Sequence, residues 1–210
     1  WDWEKIIPED ARNEQTLRET VKAVYEALRV TEKYMANKYD YVECFLPEEI
    51  TFITTQELVD LYPGLSAKER EYEIVKKYGA VFLMQIGDIL SNGEKHDGRA
   101  PDYDDWKLNG DILVYYPVLD IALELSSMGI RVNAESLAEQ LKKAGCEERA
   151  ELPFQKALLN GELPQTIGGG IGQSRICMFF LRKAHIGEIQ VSVWPDEIYD
   201  EAAAKGITIL

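Results

Sequence analysis

Histidine and cysteine are scarce, with two and three residues in a chain of 210. Cys44, Cys146 and Cys177 are too few and too scattered for a disulfide framework, and no two of them fall at a metal-ligand spacing such as C-x-x-C. His96 and His185 lie far apart in sequence, which argues against a histidine-built zinc centre. The expected metal is therefore a hard cation held by carboxylates, Mg²⁺ before Zn²⁺. Long apolar runs are missing too. The longest, Ile176 to Leu181, is far short of the ~18 residues a membrane span needs. No charged-then-apolar leader precedes Trp1, so a soluble, cytoplasmic protein is expected. Basic residues are outnumbered, 23 Lys+Arg against 37 Asp+Glu for a net charge of −14. Such a surface repels phosphodiester backbones and disfavours a generic nucleic-acid binder, although it leaves room for a small basic pocket. Internal repeats and low-complexity segments are absent.

What remains is globular in character. A hydrophobic content of 46% with 10% aromatics excludes a disordered acidic tail, and the length suits one large domain, expected here over residues 1–210. The opening Trp1-Asp2-Trp3-Glu4, with no Met, is the start expected of a piece of a longer polypeptide. Leu17, Val21, Val24, Leu28, Thr31 and Met35 recur at helical spacing and predict a long amphipathic helix from about Asn13 to Lys38. Residues 50–55 alternate and are β-branched, which predicts a strand. Ser66-x-x-Glu69 opens a helix that Gly79 closes, and a buried strand follows over 80–86.

Residues 91–109 carry little apolar periodicity and several acidic residues, so they predict a long irregular loop. Residues 111–116 and 120–125 read as antiparallel neighbours joined at Pro117. Asn133 caps a helix ending at Gly145, and a shorter helix covers 153–159. The glycines of 166–172 lead into a helix over 173–183. Residues 189–194 predict a last strand before an acidic, Ala-rich tail. Strands that do not strictly alternate with crossover helices imply an α/β (α+β) fold with a mainly antiparallel sheet flanked by helices.

Three stretches can carry chemistry. Gly168-Gly169-Gly170-Ile171-Gly172-Gln173-Ser174-Arg175 strips side chains from the backbone ahead of a helix N-terminus, where a phosphate-bearing ligand can approach closely. Arg175 in that first turn opposes the helix dipole unless an anion sits beside it. The spacing is not that of a P-loop, and the plain alternative is a flexible bend that closes the sheet. In Glu124-Leu-Ser-Ser-Met-Gly-Ile-Arg131, a strand ends at a carboxylate and a serine pair before a glycine turn. Glu124 is placed to hold Mg²⁺ on a triphosphate and Arg131 to neutralise it, or the two form an ordinary surface pair. Arg99-Ala-Pro-Asp-Tyr-Asp-Asp-Trp106 can orient an amino group and help cover a site as a lid, or is a solvated acidic loop.

The order and wording of these stretches resemble one family over nearly the whole chain. Trp1-Asp-Trp-Glu4, Phe45-Leu46-Pro47, Gln56-Glu57-Leu58, Arg99 to Trp106, Leu108-Asn-Gly-Asp-Ile-Leu-Val114, Glu124 to Val132, Pro164 to Arg175 and His185-Ile-Gly187 resemble the ammonia-dependent, AMP-forming asparagine synthetases, or aspartate-ammonia ligases. The resemblance implies the catalytic fold of class II aminoacyl-tRNA synthetases, with Gly168 to Arg175 similar to that fold's third signature motif, whose arginine contacts ATP. It implies ATP and Mg²⁺, with aspartate and ammonia as the other substrates. The reaction would be two-step: aspartate's side-chain carboxylate attacks the α-phosphorus, and ammonia then displaces AMP from the β-aspartyl adenylate.

The active-site positions it implies are Arg99, Asp104, Asp111, Glu124, Ser127, Arg131 and Arg175. The glycines Gly168, Gly169, Gly170 and Gly172 line the nucleotide, Asp111 and Glu124 hold the metal, and Asp2 faces the aspartate. A homodimer is implied as well. Two departures stand out. The family has an upstream segment, with an arginine motif for the α-phosphate, that corresponds to nothing in these 210 residues, so no activity is expected of them alone. Between Trp106 and Leu108 the family usually has a longer loop, where this sequence has only Lys107. The competing expectations are another class II-like aminoacyl-adenylate former and a catalytically incomplete paralogue that acts as a binding or regulatory module.

Overall fold

The computed structural model describes all 210 residues, Trp1 to Leu210. Six strands form one sheet: β1 (Asp2–Ile6), β2 (Thr51–Thr54), β3 (Ala80–Met84), β4 (Asp104–Tyr116), β5 (Ile121–Arg131) and β6 (Thr166–Ile171). Their spatial order is β1-β6-β5-β4-β3-β2. Every neighbouring pair is antiparallel except β2 with β3. This is the mainly antiparallel architecture expected from the sequence.

Each face of the sheet is covered where its side chains are apolar. On one face, Phe82, Met84, Ile112, Val114, Met128, Ile130 and Ile167 pack against Leu17, Val21, Tyr25 and Leu28 of α1 (Glu14–Lys38) and against α6 (Gln173–Phe180). On the other, Val81, Leu83 and Leu113 meet Leu58 of α2 (Thr55–Leu61) and Ile74 and Val75 of α3 (Ala67–Tyr78). A third cluster joins Leu137 and Leu141 of α4 (Ala134–Ala144) to Leu158 of α5 (Pro153–Leu159) beyond the end of β5.

The helix ends follow their sequence signals. The Asn13 side chain accepts from Thr16 N, Ser66 and Glu69 form a reciprocal capping box, and Asn133 caps α4. Gly79 closes α3 at φ +76°, a value that a side chain would oppose.

Four expectations need correction. β4 begins at Asp104, so the last part of the stretch read as an irregular loop is strand, with register shifts between Asp104 and Asn109 and between Ile112 and Leu113. Apolar periodicity is missing there because the inward side chains, Asp104 and Asp105, are buried by ion pairing with Arg131 and Arg12. β5 runs unbroken to Arg131, so no turn occurs at Met128-Gly129. The glycines of 168–170 lie in β6, between β1 and β5, and not in a bend. Residues 189–194 form no strand: Val191 is 75% and Val193 95% exposed, and the segment pairs with neither edge of the sheet, β1 or β2. The tail is helical, as α7 (Asp196–Ala204). No helix is long and apolar enough to cross a membrane.

Candidate active site

Residues paired directly across neighbouring strands point to the same face, and residues two apart on a strand share it. One such row runs Leu83, Asp111, Ser127, Gly170, Asp2, with one residue from each of five strands. The row two residues further along runs Asn109, Gly129, Gly168, Glu4. At its end, Asp104 stands opposite Arg131. Glu124, paired with Leu113, joins the same face, and the first turn of α6 brings Arg175 against it, Nη1 to Oε1 at 3.3 Å. Chemistry-bearing residues scattered over the sequence thus meet on the part of the sheet that α2 and α3 leave uncovered.

Charge alternates along this face. Arg175 pairs with Glu124, and Arg99 Nη2 donates to Asp111 Oδ1 at 2.9 Å while its Nε lies 3.5 Å from Asp104 Oδ2. Asp104 also accepts from Arg131, whose Nη2 donates to Glu4 Oε2 at 2.8 Å and whose guanidinium lies 4.0 Å from the centre of the Tyr103 ring. Arg131 does not reach Glu124. It is committed to the buried network of Glu4 and Asp104, which corrects the expected surface pair. Arg175, half-exposed with one carboxylate partner, is the cation free to turn toward a ligand. Arg99 Nε is buried without a hydrogen-bond partner.

The carboxyl groups respond to these surroundings. Burial pushes Glu124 above the ordinary carboxylate range, and the like charge of Asp111 pushes it further; Arg175 and Arg99 offset only part of this. Burial likewise raises Asp104, against the pull of Arg131 and Arg99. For Glu4 the burial effect is outweighed by hydrogen bonds from Arg131 and Thr166, which hold it below its usual range. No group of three or more His, Cys, Asp or Glu converges as a metal cage.

The glycines divide by face. A Cβ on Gly168 would lie 2.0 Å from Glu4 Oε2 and 2.6 Å from Arg131 Nη2, and one on Gly170 would lie 3.1 Å from Asp2 Oδ1. Both belong to the polar floor. A Cβ on Gly169 would instead lie 2.5 Å from Ser127 O and 2.6 Å from Met128 Cβ, against the packed side. Gly169 is therefore set apart from the ligand face. Asp104 and Trp106, expected in a lid, are 1% and 3% exposed: Asp104 joins the polar floor, and Trp106 packs against Gly87 with its indole N–H donated to Ala100 O.

Sequence reasoning missed Glu4, Tyr103, Arg12 and Gln140. Glu4 was recoverable, because Asp2 and Glu4 alternate on one face of a strand. Arg12, which donates to Asp105 Oδ2 at 2.6 Å and to Gln165 Oε1 at 3.1 Å, carries no local signal.

The family model described as aspartate-ammonia ligase matches residues 1–206. The aspartate-ammonia ligase of Clostridium perfringens strain SM101 is 60% identical over 210 residues, covering 100% of this chain and 62% of the relative. That of Ligilactobacillus salivarius is 57% identical over 211 residues, covering 100% and 63%. The chain thus spans less than two thirds of the length of these relatives.

Among solved structures, the aspartyl-tRNA synthetase of Entamoeba histolytica superposes with a TM-score of 0.60 at 14% identity, over 90% of this chain and 41% of that one. The asparaginyl-tRNA synthetase of Pyrococcus horikoshii complexed with asparaginyl-adenylate gives 0.59 at 13%, over 92% and 48%. At such identities the likeness is one of fold, that of class II aminoacyl-tRNA synthetases. By sequence, the chain belongs to the aspartate-ammonia ligase family.

Proposed function

We propose that this chain carries the catalytic face of an enzyme that makes asparagine from aspartate, ammonia and ATP, through a β-aspartyl adenylate and with release of AMP and pyrophosphate. The observation that carries the reading is the five-strand row from Leu83 to Asp2, flanked along the strands by Glu124 with Arg175 on one side and by Asp104 with Arg131 on the other, and with Arg99 bonded to Asp111 in the row itself. The family membership supports it.

The first step brings a carboxylate to a polyphosphate, so like charges must be held together. Arg175 is placed for this, because its pair with Glu124 is half-exposed and can yield to a phosphate at little cost. Gly168 and Gly170 leave a floor without side chains over which the adenylate can lie. Asp2 and Ser127, neighbours across Gly170 in the same row, are assigned to orienting the aspartate. Arg131, fixed by Glu4 and Asp104, presents a rigid cation beside it.

Asp111 and Glu124 fit Mg²⁺. They share one face, their mutual repulsion raises Glu124, and two carboxylates are what the protein usually contributes when phosphate and water complete the octahedron. When bound, the ion neutralises charge that builds up on the phosphate oxygens.

The second step needs ammonia without its proton. Asp104 is assigned as the acceptor, since a carboxyl that burial has raised is a better base than an ordinary one. Arg99, between Asp104 and Asp111, holds both carboxylates in place. We further assign residues 1–210 to one catalytic-type domain of a cytoplasmic homodimer.

The test is aspartate-dependent exchange of labelled pyrophosphate into ATP by the full-length protein, followed by ammonia-dependent release of AMP. Exchange without a response to ammonia would assign another acceptor, and no exchange would end the reading.

A further inference from the structure

We propose that Gln140 is a positioning residue for the ammonia-dependent step, acting on Asp104 through the main chain around it; this rests on the role given to Asp104 above. Gln140 lies on α4 among the apolar Leu137 and Leu141, and is 4% exposed. A carboxamide in such a place is costly unless its N–H groups and its oxygen all find partners. Here they find them on one short segment. Nε2 donates to Pro101 O at 2.9 Å and to Asp104 O at 3.0 Å, while Oε1 accepts from Trp106 N at 2.8 Å. The segment is where β4 slips register, between Asp104 and Asn109, and the sheet ladder alone does not define the backbone there. One side chain therefore bonds the main chain at Asp104 and on both sides of it.

What this clamp fixes is the carboxylate that faces the site. Asp104 is 1% exposed and sits between Arg131 and Arg99. Its Cγ lies 2.8 Å from where a Cβ on Gly129 would stand, so the carboxylate is seated by its own backbone against the neighbouring strand, while Arg131 and Arg99 each keep a second partner in Glu4 and Asp111. The neighbours of Asp104 are held by separate groups, Asp102 by Gln155 at 2.6 Å and Asp105 by Arg12 at 2.6 Å. Loss of Gln140 therefore frees Asp104 without dissolving the whole segment.

Gln140→Met keeps the reach of the side chain and removes its polar atoms. In the full-length protein we expect ammonia-dependent AMP release to fall by about 100-fold, the scale of a misplaced catalytic group, with pyrophosphate exchange reduced far less. In an Asp104→Asn background the same change should add almost nothing, because coupled residues fail to add. Gln140→Asn, polar but one methylene too short to reach all three groups, carries the same test if the methionine variant does not fold. Losses that multiply with Asp104→Asn, or that lower both half-reactions in parallel with thermal stability, would overturn the inference. Wild-type protein without aspartate-dependent exchange would instead refute the function on which it stands.

Discussion

Neighbouring glycines of β6 separate binding from stability. Gly168→Ala puts a methyl group 2.0 Å from Glu4 Oε2 and 2.6 Å from Arg131 Nη2; the half-exposed end of Glu4 can swing aside, while Arg131 stays held by Asp104. The loss is a set of charge-assisted hydrogen bonds, nominally ~1.5–3 kcal/mol. Glu4 is 46% exposed, so water screens and replaces much of this, and ~1 kcal/mol is the working figure. For a chain of this length that lowers Tm by about 2–4 °C.

Gly169→Ala puts its methyl group 2.5 Å from Ser127 O and 3.0 Å from Met128 Cα, which are backbone atoms of the adjacent strand and cannot swing. Overpacking of this kind costs about 3 kcal/mol or more, which corresponds to a fall of about 6–12 °C. Function should follow the opposite order. Gly168→Ala displaces the Glu4 side chain and takes a partner from Arg131, which borders the proposed aspartate position, so pyrophosphate exchange should fall by about 100-fold. Gly169→Ala, measured well below its own Tm, should retain most of its exchange. Thermal melts beside exchange assays decide the matter. If Gly168→Ala melts lower than Gly169→Ala, or exchanges like wild type, the assignment of the two faces is wrong.

Arg175→Ala should cut exchange by about 100-fold while shifting Tm by no more than about 2–4 °C, because its half-exposed pair with Glu124 contributes little to stability; unchanged kinetics would remove it from the site. The two glutamates should respond to pH with opposite signs. Glu124 is raised on folding, so its ionised form costs stability as pH climbs above the ordinary value of 4.5; Glu124→Gln should raise Tm at neutral pH, with the gain lost in acid. Glu4 is lowered, so its contribution is present above 4.5 and disappears as pH falls through the lowered value. Glu4→Gln should therefore lower Tm at neutral pH, with the difference closing in acid, and two shifts of the same sign would contradict the electrostatics. Asp111→Asn should weaken binding of Mg·ATP more than binding of metal-free ATP, measured by titration calorimetry; equal losses would place the metal elsewhere.

Much of the fold was legible because apolar side chains recur at helical spacing where a helix meets the core, as in α1 and α4, or form an unbroken run where a strand is covered on both faces, as in β3. It failed where burial comes from charge. Asp104 and Asp105 read as solvent-facing, yet Arg131 and Arg12, remote in sequence, take them into the interior. It failed again at Gly168 to Gly170, where the side chains that fill the space belong to β1 and β5, so the strand has no signal of its own. Val191 and Val193 gave the reverse error, since β-branched alternation builds a strand only where the chain is laid against a sheet edge, and this segment lies against neither β1 nor β2. The site was legible as a set of residue types but not as a row, because the register of five strands is a long-range property. Gln140 was unreadable for the same reason: its partners are backbone atoms more than thirty residues away.

The row that crosses five strands makes the face tolerant of some changes and intolerant of others. Substitutions alter one side chain at a time. Deletion of a single residue within β5 would turn Ser127 and Arg131 inward, and would bring Met128 and Ile130 out among the carboxylates. Lineages carrying this sheet should therefore accumulate insertions and losses in the connections, such as the stretch between β5 and β6, and almost none inside the three central strands.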